Sequence, residues 1–182
     1  MGATNLALIP NPCLGLLPSC LYTMRMDLLT IILRSRKERK DRCTVWPLRN
    51  HPAVRIVGYP TQKMPDPEGA ILLHPDGPPL SAADAGKPLI LLDASWRHAG
   101  SMATHYQHLT RRSLPGYPTA YPRCSKLGTD PEGGLASVEA LYLAHMLTSR
   151  PTAGLLAHYR QGAEFLALLG LTDPAALGET PC

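Results

Sequence analysis

The chain has 182 residues, a formal net charge of +4, 45% hydrophobic and 18% charged residues. That balance excludes a disordered chain and fits one domain long enough to bury its own core. The longest apolar runs fall far short of the ~20 residues needed to span a bilayer, and 19 Pro with 15 Gly predict many turns and short elements.

Residues 1–25 contain Pro10, Pro12 and Pro18 and no basic residue before Arg25, so a signal peptide lacks its usual basic start. They are expected to be an unstructured leader, or the product of a start assigned too early, with Met24 and Met26 just ahead of the first strand-like run. Residues 26–170 are expected to form the single domain and 171–182 a tail. Leu28–Leu33 (LLTIIL) is short, β-branched and apolar, as a buried strand is. Residues 34–42 (RSRKERKDR) carry six basic and two acidic side chains and read either as a solvated loop or as a phosphate-binding segment. Val54–Tyr59 and Ala70–Leu73 read as strands, the second ending at the turn sequence His74-Pro-Asp-Gly77. Ser81 and Asp84 are spaced as a capping pair for a short helix that Gly86 and Pro88 must end.

Leu89–Leu92 is the clearest strand, continuously apolar as a central parallel strand is. It runs into Asp93-Ala-Ser-Trp96 and a helical stretch over about 97–111. Residues 113–134 are loop-rich. Leu135–Leu147 reads as a helix after Gly133-Gly134, and Thr152–Leu169 as a second amphipathic helix ended by Gly170. Strands alternating with helices predict an α/β fold with a mainly parallel sheet flanked by helices and a helical C-terminal third.

Ligands of open α/β sheets bind beyond the carboxyl ends of the strands, where Asp93 falls; the same position also suits a helix N-cap. The glycine-rich segment 128–134 leads into a helix start at which Ser137 is a candidate cap and Glu139 favours the first turn. The segment carries no Walker lysine and no GxGxxG. Arg111, Arg112, Arg123 and Lys126 interleave with Tyr117 and Tyr121, a mixture suited to RNA phosphates and bases. The five cysteines form no CxxC pair, so a disulfide framework and a zinc finger are not expected, and a reducing, cytoplasmic setting is. His98, His105 and His108 share one predicted helix without a carboxylate or cysteine to complete a ligand set, so no metal is expected.

Four ordered segments, spread over about residues 27–168, resemble the SPOUT-related RNA aminocarboxypropyltransferases. Lys40-Asp-Arg-Cys43-Thr44 is similar to the lysine-rich segment of the branch acting on small-subunit ribosomal RNA. Ile71-Leu-Leu-His-Pro with Ser81-Ala-Ala-Asp84 is similar to its LSP…SPAD stretch. Leu91-Leu-Asp93-Ala-Ser95-Trp96 resembles its DCSW and the DTW motif of the tRNA-uridine branch. Arg112-Ser-Leu114-Pro115 and Leu135-Ala-Ser137-Val-Glu139-Ala140 resemble its RLLP…LSxxEA pair. The chain departs from the DTW branch in having no N-terminal cysteine cluster, and from the rRNA branch in the loop 119–126.

The resemblance implies a SPOUT-like sheet with a trefoil knot. It implies transfer of the 3-amino-3-carboxypropyl group of S-adenosyl-L-methionine to a uridine or pseudouridine, in ribosomal RNA during maturation of the small subunit or in tRNA. A SPOUT-type RNA methyltransferase and a non-catalytic RNA-binding assembly protein are the alternatives. By the motif match, Asp93 is the catalytic carboxylate, and Thr44, Leu92, Trp96, Leu114, Gly133 and Ser137 line the cofactor pocket. The helix start near Ser137 is suited to the methionine carboxylate. Arg36, Lys37, Arg39, Lys40, Arg42, Arg111, Arg112, Arg123 and Lys126 are the expected RNA contacts. Residues 34–126 hold fifteen Lys or Arg against seven Asp or Glu, net +8, and residues 127–182 hold two against six, net −4. The mild total thus hides a basic middle that flanks Thr44 and Leu114 in sequence.

Overall fold

The computed structural model describes residues 30–122 and 134–178. Five parallel strands form one sheet: β1 (Thr30–Ser35), β2 (Val54–Tyr59), β3 (Ile71–Leu73), β4 (Leu89–Asp93) and β5 (Thr110–Arg112), in the order β2-β1-β4-β3-β5. β1 and β4 lie at the centre, and their apolar runs are buried on both faces, which explains why neither alternates in polarity. Ile31, Leu33, Leu72 and Ile90 pack on one face against Met102, Ala103 and Tyr106, which belong to or follow helix α1 (Trp96–Ala103). Ile32 and Leu91 point to the opposite face, against Val138, Leu141 and Tyr142 of α2 (Ser137–Leu147) and Phe165 of α3 (Gly162–Leu168). None of the described helices is long and apolar enough to cross a membrane.

Three predicted elements differ. The helix expected over 97–111 stops at Ala103. A 3-10 turn follows at Thr104–Tyr106, where the buried Tyr106 donates its hydroxyl to Pro65 O at 2.9 Å, and the chain then adds Thr110–Arg112 to the sheet edge beside β3. The helix expected over 152–169 is helical only from Gly162. Upstream, Gly154 sits at φ +74°, and the N–H groups of Gly154 and Leu156 donate to Ala175 O and Ala176 O rather than along a helix. Residues 171–178, read as a tail, therefore pack on the domain, with Ala176 buried and Asp173 accepting from Tyr142 and Thr152. The basic run is not all loop either: Arg34 is the fifth residue of β1 and only 4% exposed. The expected leader, residues 1–25, lies outside the described residues.

Ser81 and Asp84 do form a capping pair, on a single 3-10 turn (Ala82–Asp84). Asp84 also accepts from Arg112 Nε at 2.8 Å and from Lys87 at 3.3 Å. The β3–β4 connection is thereby tied to β5. Gly77 allows the same closeness on the other side: a Cβ there would stand 2.9 Å from the Arg111 backbone, while Ser113 donates its hydroxyl to Gly77 O.

His145 joins the start of β1 to the far end of α2. Its ring is fully buried, with Nδ1 2.8 Å from Pro151 O and Nε2 2.9 Å from the Thr30 hydroxyl. A carbonyl only accepts, so Nδ1 carries the proton and Nε2 accepts from Thr30. Burial pushes its pKa down from 6.5 to about 4, so the ring is neutral in the folded protein but takes up a proton on unfolding below pH 6.5. The stability it contributes is complete above pH 6.5 and lost as pH falls towards 4, by roughly 3 kcal/mol. Urea unfolding of the protein and of His145→Gln at pH 7, 6, 5 and 4 should show the gap between them shrinking by about that amount; a constant gap would contradict the buried neutral ring.

Candidate active site

Register places the site. Arg34 and Asp93 are neighbours across the β1–β4 ladder, and both follow an α2-facing residue by two positions (Ile32 and Leu91). Their side chains therefore meet beneath the start of α2. Asp93 is the last residue of β4 and 7% exposed. Its Oδ1 accepts from Ser137 Oγ at 2.7 Å, its Oδ2 accepts from the Cys43 thiol at 3.0 Å, and Arg34 Nε lies 3.7 Å from Oδ2. Arg34 also donates to Cys43 Sγ at 3.2 Å and to the Ser35 and Glu38 carbonyls at 3.2 and 2.6 Å. The carboxylate is thus oriented from three elements: β1, the loop after it and the first residue of α2.

Asp93 is not a helix cap. Ser95 occupies the N-cap of α1, and its N–H is taken by Glu38 Oε1 at 2.9 Å. Ser137 is likewise the first helical residue of α2 rather than its cap. Glu139 accepts the Ala136 N–H at 2.8 Å, which leaves the Ser137 hydroxyl for Asp93.

Beside Asp93 a cavity of about 720 Å³ opens at the carboxyl ends of β3 and β4. Among the predicted cofactor residues, Thr44, Leu92, Trp96, Leu114 and Ser137 all line it, as do Arg42 and Arg112. Gly133, Arg123 and Lys126 lie outside the described residues. Of the remaining predicted RNA contacts, Arg36, Lys37, Arg39 and Lys40 are exposed and Arg111 is half-buried. Arg39 is held by Asp41 at 2.6 Å, and Arg112 by Asp84.

The cavity wall formed by Tyr117–Tyr121 is fixed by Glu139, which is fully buried. Its two oxygens accept from the Thr119 hydroxyl (2.6 Å), the Ala120 N–H (2.8 Å), the Ala136 N–H and the Tyr159 hydroxyl (2.9 Å). This arrangement bears on one expectation. Two N–H groups at the start of α2 are already engaged, that of Ala136 by Glu139 and that of Val138 by Thr44 Oγ1 at 3.3 Å, so the expected cradle for a carboxylate narrows to the Ser137 and Glu139 N–H groups. Arg42 and Arg112 add positive charge to the cavity wall, Arg112 while paired with Asp84.

Sequence reasoning did not single out Arg34, Cys43 or His74 as site residues. Cys43 had a signal in its place immediately before Thr44, but its partnership with Asp93 spans 50 residues and arises only from the fold. His74, on the cavity wall, accepts the Asp76 N–H at Nδ1, and burial together with the charge of Arg111 lowers its pKa, so the ring is neutral at pH 7. Among the described residues no group of three or more His, Cys, Asp or Glu is placed to hold a metal ion.

No protein-family profile matches the chain, and no curated protein does. Among solved structures, the SAM-dependent rRNA:acp-transferase Tsr3 from Vulcanisaeta distributa superimposes with a TM-score of 0.59 at 21% sequence identity, covering 84% of this chain and 85% of that one. The two chains share a fold.

Burial pushes the Cys43 thiol up to about 11, and the charge and hydrogen bond of Asp93 add to the shift. It remains a protonated donor at neutral pH rather than a nucleophile. Alkylation by iodoacetamide at pH 8, followed peptide by peptide by mass spectrometry, should modify Cys43 about 100-fold more slowly in the folded protein than in urea. Equal rates would show that the thiol does not donate to Asp93.

Proposed function

We propose that the chain is an RNA aminocarboxypropyltransferase, transferring the 3-amino-3-carboxypropyl group of S-adenosyl-L-methionine to a uridine or pseudouridine base. One observation carries the reading: a buried, fully oriented carboxylate, Asp93, on the wall of a ligand-sized cavity at the carboxyl ends of a parallel sheet, beside an exposed basic loop. The ordered motifs and the fold shared with a protein described as an rRNA:acp-transferase support it.

The lining residues fit the cofactor. Leu91, Leu92 and Leu114 offer apolar walls to an adenine, and Trp96, left 37% exposed at the first turn of α1, offers a face for stacking. Arg42 and Arg112 offer charge to the methionine carboxylate. When bound, S-adenosylmethionine would supply a methylene carbon made electrophilic by the adjacent sulfonium, its C–S bond breaking to release methylthioadenosine. The cavity walls hold that carbon, rather than the methyl group, towards the incoming base, an effect of orientation. Asp93, on the cavity wall, would orient a ring N–H of the base and receive its proton as that nitrogen bonds to the methylene carbon. Ser137, Cys43 and Arg34 keep the carboxylate in one rotamer throughout.

The finer reading places the substrate in ribosomal RNA of a small-subunit precursor, in the cytoplasm, with tRNA as the second candidate. The lack of the N-terminal cysteine cluster of the DTW branch favours the first. A trefoil knot belongs to the same proposal. Its support is the insertion of β4 between β1 and β3, together with the passage of residues 113–114 against the 77–80 connection before the chain reaches α2.

Incubation with RNA and cofactor labelled in the carboxyl group should transfer label, while cofactor labelled in the methyl group should not. The reverse result would make the protein a methyltransferase. Asp93→Asn should lower transfer at least about 100-fold while calorimetry still detects cofactor binding; full activity in that variant would remove Asp93 from the mechanism.

A further inference from the structure

Three cations converge on one indole. Arg34 Cζ lies 5.2 Å from the centroid of the Trp46 ring, Lys40 Nζ 4.6 Å and Arg49 Cζ 5.7 Å. Only Arg34 is committed elsewhere: it is buried and bound to Cys43, Glu38 O and the Asp93 carboxylate. Lys40 and Arg49 are exposed, and neither has an acidic partner among the described residues, although Arg39, next to Lys40, is paired with Asp41.

Two exposed positive charges brought to one ring raise the local positive potential, and the ring holds them without supplying a counter-charge. An arrangement of this kind is completed by an anion. The ring supplies the geometry, because the ammonium and the guanidinium are held against a rigid surface instead of sweeping through solvent. The place is informative as well. Arg42 and Thr44 line the cavity, and Trp46 follows two residues later at the start of the 3-10 helix Trp46–Asn50 that carries Arg49.

We propose that Lys40, Arg49 and Trp46 form a phosphate-binding site for the RNA backbone, next to the cavity mouth, which holds the strand as its target base enters the cavity. Arg49 was not among the cations that the sequence singled out, and Trp46 acts here through its ring face. The inference rests on the RNA reading above and adds to it a defined backbone contact.

The chain has two tryptophans, Trp46 and Trp96, so Trp96→Phe leaves Trp46 as the sole indole. Titrating that variant with a short single-stranded RNA should change Trp46 emission over the same concentration range in which a labelled RNA gains anisotropy, since phosphates bound to the cations over the ring change the field at the indole. In the full chain, Lys40→Gln and Arg49→Gln should each flatten the dependence of log affinity on log salt by about 0.7. Trp46→Leu changes no charge, yet should weaken RNA binding about two- to fivefold, the worth of holding two cations in place. Urea midpoints equal to that of the parent protein keep a folding defect apart from these effects. RNA binding with silent Trp46 emission and unchanged slopes in both cation variants overturns the site while leaving the RNA reading intact. A full chain that binds no RNA overturns both.

Discussion

A buried charge pair at the end of two neighbouring strands organises this molecule. Parallel register sets Arg34 of β1 beside Asp93 of β4, and both are almost removed from water. Two buried charges are costly, and removing either partner strands the other at about 3–5 kcal/mol. The pair is tolerable because both members are hydrogen-bonded to further partners. Arg34 reaches the Ser35 and Glu38 carbonyls and Cys43, and Asp93 accepts from Ser137 and Cys43. These partners lie on β1, on the loop after it and at the first residue of α2. The demand of one ion pair for satisfied neighbours therefore fixes the path of the basic loop, the entry into α2 and the floor of the cavity together.

The same economy appears at the start of α2. A helix that begins with Ser137 and Glu139 reads as an ordinary capped helix, and in isolation Ser137 makes a good cap. Glu139 takes over that duty from inside the core, and the serine hydroxyl is released to the carboxylate of a distant strand. Local preference and tertiary demand divide two residues between them, and the site gains a donor that local rules assign to the helix.

The strands were legible because burial on both faces leaves an unbroken apolar run, and β1, β3 and β4 all show one. The cavity lining was legible through short motifs at strand and helix ends, and five of the six predicted cofactor residues meet there. Other features were hidden for physical reasons. β5 is polar (Thr110, Arg111, Arg112) because an edge strand needs only backbone partners, so it passed for the end of a helix. The segment 152–161 has helical periodicity, but its N–H groups find better-placed acceptors at Ala175 and Ala176, and only a folded chain brings those acceptors near. Arg34 was masked by its company: the first cation of a basic run reads as exposed, although its position in the strand pattern points it inward. Cys43 sits in a matched motif, but its role depends on a contact with Asp93 that only the fold creates.

Glu139 has a consequence for how any ligand is received. Four donors from three segments converge on its two oxygens, so the Tyr117–Tyr121 wall, the head of α2 and Tyr159 share one anchor with no solvent to exchange for it. Hydrogen bonds gathered on one buried carboxylate yield together or not at all. That side of the cavity therefore behaves as cast rather than hinged: its shape is set during folding, and no ordering entropy is left for a ligand to supply. Adaptation to different guests falls to exposed groups of the lining such as Trp96 and Arg42.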